Sequence, residues 1–156
     1  MGANMKLTKE QALQKLKHYC TYQERSHYEV MQKLWELKVA KSDHDLIIAT
    51  LIDEDYLNEE RFAIQFAGGK FRMKQWGRVK IKLALKQKKV SEVLIKQALK
   101  GIDERDYNSM MKKIIAERGK KTAEKNPAKR KYKIAQYLIS RGFEPELIWE
   151  ILNERD

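Results

Sequence analysis

Arg78-Val79-Lys80-Ile81-Lys82-Leu83 is the stretch on which the fold turns. Polar and apolar residues alternate through it, which on its own is the pattern of a half-buried strand. Two other parts of the chain read it differently. Val79, Ile81 and Leu85 align with Tyr28, Val30 and Leu34, and again with Tyr132, Ile134 and Leu138. The first of those copies opens with Ser26-x-x-Glu29, a capping box, and the third with Asn126-Pro127, a cap followed by proline at the first helical position. Both are helix starts, so 78–83 is expected to be helical as well.

The repeat extends beyond that helix. Val30/Leu34/Val39, Ile81/Leu85/Val90 and Ile134/Leu138/Phe143 share internal spacings of four and five. Each is followed by a second phrase: Leu46-Ile47-x-x-x-Leu51, Leu94-Ile95-x-x-x-Leu99 and Leu147-Ile148-x-x-x-Leu152, at intervals of 48 and 53 residues. A period of this size signals one supersecondary unit copied in tandem, each copy relying on neighbours to cover its apolar face. The expected fold is all-α, built as three tandem three-helix repeats of helix-turn-helix type. A flexible lead at 1–7 precedes modules at 8–57, 58–102 and 103–156.

Local signals fill in the helices. Thr8-x-x-Gln11 is a capping box opening a helix that buries Ala12, Leu16 and Tyr19. Ser42 or Asp43 starts the third helix. Asn58 caps the fourth, with Glu59 and Glu60 at its positive end, and Gly68-Gly69 weakens that helix or ends it early. Ser91 caps the sixth helix and Gly101 ends it. A seventh runs from about Asp103 to Arg118, Arg141-Gly142 stops the eighth, and Glu144-Pro145 opens the last. Trp35, Trp149 and Cys20 read as core.

Charge is distributed unevenly. Residues 1–60 carry 8 Lys/Arg and 11 Asp/Glu, residues 61–100 carry 12 and 1, and residues 101–156 carry 13 and 10. The middle block alone therefore accounts for the net charge of +11. On a helix Arg78, Lys82, Lys86 and Lys89 fall within an arc of roughly 80°, successive members about 6 Å apart along the axis. Lys74 and Arg72 lie just upstream, with Lys70 and Arg61 on the preceding helix. Such a ridge suits phosphates or an acidic protein groove. Trp76-Gly77 interrupts it: Gly77 permits close backbone approach at a helix opening, and Trp76 covers the joint or stacks on a base.

Other chemistries find little footing. No apolar run approaches the roughly 18 residues of a membrane span. Cys20 is alone, so no disulfide framework or thiolate metal cluster is expected, and a reducing, cytoplasmic home follows. His18, His27 and His44 lack metal-ligand spacing, and Gly68-Gly69 lacks the Lys-Ser/Thr of a phosphate loop. No enzyme activity and no cofactor are expected.

Three segments carry a family resemblance: Leu57-Asn58-Glu59-Glu60-Arg61-Phe62-Ala63, Lys74-Gln75-Trp76-Gly77-Arg78-Val79-Lys80-Ile81, and Leu138-Ile139-Ser140-Arg141-Gly142-Phe143. In this order and at these distances they resemble the RecX family, bacterial regulators of the RecA recombinase. The resemblance implies an elongated, curved array of three modules. It also implies a partner, the RecA filament on single-stranded DNA, bound in its groove with suppression of strand exchange and ATP hydrolysis. A monomer with no membrane contact goes with that expectation. The candidate contact residues are Arg61, Lys70, Arg72, Lys74, Trp76, Gly77, Arg78, Lys82 and Lys86. The alternative is a helix-turn-helix regulator that reads DNA directly, for which the sixth helix offers Lys96 and Gln97. One departure bears on geometry. Where the family often has Gly at the end of the second helix of a module, this chain has Lys38 and Lys89, and only Gly142 conforms. A left-handed cap without Gly costs about 1 kcal/mol, so the first two joints are expected to cap differently from the third.

Overall fold

The helix starts behave as their sequences require. Thr8 and Gln11 exchange backbone-to-side-chain hydrogen bonds of 3.0 and 3.1 Å, and Ser26 and Glu29 do so at 2.9 and 3.0 Å. The Asn58, Asp103 and Asn126 side chains each accept from a backbone N–H of the following turn. Each such cap stabilises its helix by about 1 kcal/mol. In the computed structural model, residues 6–154 are described, and they form helices with no strand among them. In order these are α1 (Lys9–Tyr22), α2 (His27–Glu36), α3 (Lys41–Asp53), α4 (Glu59–Lys74), α5 (Arg78–Gln87), α6 (Glu92–Lys100), α7 (Glu104–Lys121), α8 (Pro127–Ser140) and α9 (Pro145–Leu152). The alternating stretch 78–83 is helical, as the repeat required.

The chain divides into two compact units, one reaching Gln65 and including Leu85–Ile95, the other comprising Phe66–Ala84 and everything from Lys96 onward. In the first, α1, α2 and α3 pack around Ala12, Leu16, Cys20, Val30, Leu34, Val39, Ile47, Leu51 and Leu57. Leu7, the last residue of the expected lead, is partly buried against this core. Residues 1–5 of the lead lie outside the described residues. In the second unit α8 packs on α7 and α9. Phe71, Tyr107 and Phe143 form a buried aromatic column there, with centroid separations of 5.7 and 5.3 Å.

The spacing of five in the repeated phrase has a backbone cause. Val39, Val90 and Phe143 each donate their N–H to the carbonyl five residues back, on Leu34, Leu85 and Leu138, at 3.1, 3.2 and 3.1 Å. This bond closes the helix when the residue before the donor is left-handed, and the donor's side chain then turns back onto the core. Val39, Val90 and Phe143 are all buried. The expectation that the first two joints cap differently is corrected: Lys38 (φ 58°), Lys89 (φ 64°) and Gly142 (φ 95°) all adopt the left-handed conformation.

Other expectations are corrected as well. α3 begins at Lys41 with Ala40 as its cap residue, not at Ser42 or Asp43. Just inside it, the buried His44 donates Nε2–H to the Val39 carbonyl at 3.0 Å. Trp35 is 52% exposed and covers the edge of the His44 ring instead of entering the core. In the phrase Leu-Ile-x-x-x-Leu, Ile47, Ile95 and Ile148 are buried, whereas Leu46 is exposed and Leu94 and Leu147 are half-buried. α4 runs unbroken through Gly68-Gly69, and α7 continues past Gly119, whose carbonyl accepts from the Arg130 guanidinium.

Candidate functional site

The candidate surface is built where α4 hands over to α5, within the second unit. α4 ends in a left-handed Gln75 (φ 56°), and the Trp76 N–H donates to the Lys70 carbonyl at 3.1 Å. The chain then re-enters a helix at once. The first N–H groups of a helix have no partner inside it and must find one elsewhere. Here Gly77 N–H donates to the Arg141 carbonyl at 2.8 Å and Val79 N–H to the Gly142 carbonyl at 2.9 Å. Arg78 N–H donates to the Tyr107 hydroxyl oxygen at 3.0 Å. The start of α5 is thus clasped to the α8–α9 joint. A methyl group on Gly77 would fall 2.4 Å from the Gly142 carbonyl, and one on Gly142 would fall 2.4 Å from Lys80 Cβ. Gly77 therefore serves close approach, as its position at a helix opening suggested.

Two of the expected contact residues are spoken for by acids. Arg78 donates from Nη1 to Glu144 at 3.0 Å and from Nη2 to Glu104 at 2.5 Å. Its guanidinium lies 3.8 Å over the Tyr107 ring, and the Tyr107 hydroxyl donates to the other Glu144 oxygen. Desolvation works against the Arg78 charge, but the hydrogen bonds to Glu144 and Glu104 outweigh it and raise its pKa. Burial, reinforced by the bond to Glu144, pushes the Tyr107 phenol far above its ordinary range. In the first unit, Arg61 donates from Nε to Glu24 at 2.7 Å and from Nη1 to Asp55 at 3.1 Å, with Nη2 on the Asp55 carbonyl. Its pKa is raised, first by the hydrogen bond to Glu24. Arg61 and Arg78 are thus each matched by two acids within their own unit and help to hold it together.

The remaining cations behave differently. Arg72, Lys74 and Lys82 are exposed, and none has a carboxylate within 4.0 Å among the described residues. Lys70 and Lys80 are half-buried and flank the Trp76 ring, their Nζ atoms 5.1 and 4.6 Å from its centroid. Trp76 is therefore a packed platform under two charges, each cation–π contact being worth about 0.5–1 kcal/mol at such sites. Lys86 belongs to the first unit, where its Nζ lies 3.6 Å from Glu92 in an exposed pair of small energetic weight.

Sequence reasoning missed Lys80, which shares the Trp76 platform, Glu104 and Glu144, which neutralise Arg78, and Tyr107, whose ring lies under the guanidinium. The signal for Glu144 lay in Glu144-Pro145, read only as a helix start. Its carboxylate makes no cap bond because it is turned toward Arg78 and Tyr107. Among the described residues no group of three or more His, Cys, Asp or Glu could hold a metal ion, and no helix is long and apolar enough to cross a membrane.

Helices in repeating sets of three, with a left-handed turn after the second helix of each, define an all-α protein of tandem three-helix units. Residues 58–99 match the family profile described as "RecX, second three-helix domain" and residues 110–152 the one described as "RecX, third three-helix domain". The chain belongs to the RecX family of regulatory proteins. It is 32% identical over 136 residues to "Regulatory protein RecX" of Thermotoga petrophila, covering 86% of this chain and 78% of that one. It is 28% identical over 145 residues to the protein of the same name from Lactobacillus johnsonii, covering 93% of this chain and 54% of the relative. The chain thus spans about half the length of that Lactobacillus protein. The fold is shared with the crystal structure of RecX from Lactobacillus salivarius: TM-score 0.85, 23% identity, 94% of this chain and 95% of that one covered. A second crystal structure, of a regulatory protein RecX, gives a TM-score of 0.83 at 20% identity, covering 94% of this chain and 73% of the other.

Proposed function

We propose that this chain is a non-enzymatic inhibitor of the RecA recombinase. It binds the RecA filament on single-stranded DNA as a cytoplasmic monomer and suppresses strand exchange and ATP hydrolysis. The reading includes the three-module division at 8–57, 58–102 and 103–156. One observation carries it beyond family membership: Arg72 and Lys74 on α4 and Lys82 on α5 stand exposed with no carboxylate within 4.0 Å among the described residues, on the two helices that the Lys70–Trp76–Lys80 platform joins. Unscreened cations on two adjoining helices favour an anionic partner through counterion release and long-range attraction. Arg61 and Arg78 are left out of the contact set because their charges are already matched.

The test is charge reversal at Arg72, Lys74 and Lys82 together, with helix content checked by circular dichroism. Inhibition of RecA ATPase on single-stranded DNA is expected to be lost while helicity is retained. Inhibition unchanged from the parent would remove this surface from the mechanism. Sequence-selective binding to duplex DNA without RecA would favour the direct DNA-reading alternative, in which the exposed Lys96 and Gln97 of α6 face the bases.

A further inference from the structure

Residues 1–60 carry more acid than base, yet three of the eight Lys and Arg side chains in that stretch line one groove. This open groove of about 570 Å³ lies along α1 and α2 and is lined by Lys15, His18, Tyr19, Tyr22, Arg25 and Lys33, with no Asp or Glu in its walls. One lining cation has an acid partner outside the walls: Lys33 Nζ lies 3.4 Å from the exposed Glu36. Arg25 is held in place: its Nε donates to the Tyr19 carbonyl at 2.9 Å and its guanidinium lies 3.7 Å over the Tyr19 ring. The same guanidinium stands 5.8 Å from the centroid of Tyr22, whose side chain is 78% exposed.

A large aromatic ring left open to water next to a fixed guanidinium has no packing role in this unit. A ligand that offers both a flat π-face and negative charge would satisfy ring and cations together. We propose that this groove binds single-stranded nucleic acid, one base stacking on Tyr22 and the adjoining phosphates meeting Lys15, Arg25 and Lys33. Duplex bases are already stacked on each other and cannot use the ring. An acidic peptide would use the cations but leave Tyr22 idle. The groove has the volume of an ordinary small-ligand site, enough for a nucleotide unit of a passing strand. The inference concerns a different unit from the proposed RecA-facing surface and does not rest on it.

The experiment is a fluorescence-anisotropy titration of the whole chain against a labelled oligothymidylate over a series of salt concentrations. Tyr22→Ala is expected to weaken binding about tenfold, the loss of one stacked base, and Tyr22→Phe to leave it unchanged. Lys15→Gln is expected to lower the slope of log affinity against log salt by about 0.7, the removal of one phosphate contact on a single strand. Both positions are exposed, so the fold should survive, and circular dichroism checks it. Parent-like affinity in Tyr22→Ala and Lys15→Gln would overturn the assignment. So would thymidine monophosphate binding as tightly as the strand, or polyglutamate competing equally well with the parent and Tyr22→Ala. The variant reversed at Arg72, Lys74 and Lys82 separates the two readings. Lost RecA inhibition with intact, Tyr22-dependent oligonucleotide binding supports the groove on its own. Oligonucleotide binding that vanishes in that variant and survives Tyr22→Ala assigns it to the other surface and overturns the groove.

Discussion

The turns after α5 and after α8 follow the same backbone path with different residues. Lys89 (φ 64°) and Gly142 (φ 95°) are both left-handed, and each is followed by a buried apolar residue that donates to a leucine carbonyl five positions back. Glycine is the residue usually expected at such a turn because a Cβ there is strained. Lys89, exposed to solvent, shows that this fold tolerates the strain. What distinguishes Gly142 is its surroundings. It is buried, and a Cβ built on it would lie 2.4 Å from Lys80 Cβ and 2.7 Å from the Lys80 nitrogen. The glycine is required by a neighbouring helix rather than by its own dihedral angle.

The comparison is broken most directly at Gly142 and at its counterpart Gly77. The atoms that a Gly77 side chain would strike belong to the Gly142–Phe143 backbone, which cannot rotate aside. Gly142→Ala or Gly77→Ala is therefore expected to cost about 3 kcal/mol or more, since overpacking against backbone forces the clasped segments apart. Denaturant unfolding followed by circular dichroism measures it. A loss below about 1 kcal/mol at Gly142 would mean that close approach is not what selects glycine there.

A middling effect is expected beside the same joint. Arg78→Met keeps the aliphatic stem over Tyr107 but removes the charge that Glu144 and Glu104 face. Tyr107 still donates to Glu144, so that carboxylate keeps one partner. The expected loss is about 2 kcal/mol, below the range for a fully buried pair stripped of one member. Adding Glu144→Gln should recover part of it, because the uncompensated charge disappears. Additive losses in this double variant, read from the same unfolding curves, would show that Arg78 acts through packing and not through its charge.

Much of the architecture could be read from the chain because the signals were local. Capping boxes at Thr8 and Ser26 and the cap at Asn58 need only a few adjacent residues to act, and the structure uses each. The spacing of four and five was visible as a repeat, although its cause, a backbone bond across a left-handed residue, was not. Failures came where a distant partner decides. Nothing near Arg78 in sequence announces Glu104 and Glu144, 26 and 66 residues away, or, for Arg61, Glu24, 37 residues upstream. A charge count therefore listed both arginines as free. Trp35 sits at a helical position that periodicity assigns to the interior, yet the core of its unit closes without it. Gly68-Gly69 carries a propensity penalty of about 1 kcal/mol per residue, but the burial of Phe62, Ala63, Ala67 and Phe71 along α4 outweighs it. The groove at Tyr22 was hidden for the opposite reason: its cations are scattered through a stretch whose overall charge is negative.

The smallest expected effect has the opposite sign. Lys89→Gly removes a Cβ from an exposed left-handed residue, so relief of local strain should exceed the extra entropy of the unfolded chain. The variant is expected to be more stable than the parent by about 1 kcal/mol. Lys38→Gly should behave alike, since Lys38 has the same conformation (φ 58°) and is likewise exposed. Thermal unfolding of the two single variants and the pair measures it, and gains that add would show independent turns. A loss of stability on introducing glycine at either site would mean that the lysine side chain contributes more than its backbone strain removes. The contrast with Gly142 would then be one between two side-chain environments, not between a strained turn and a crowded one.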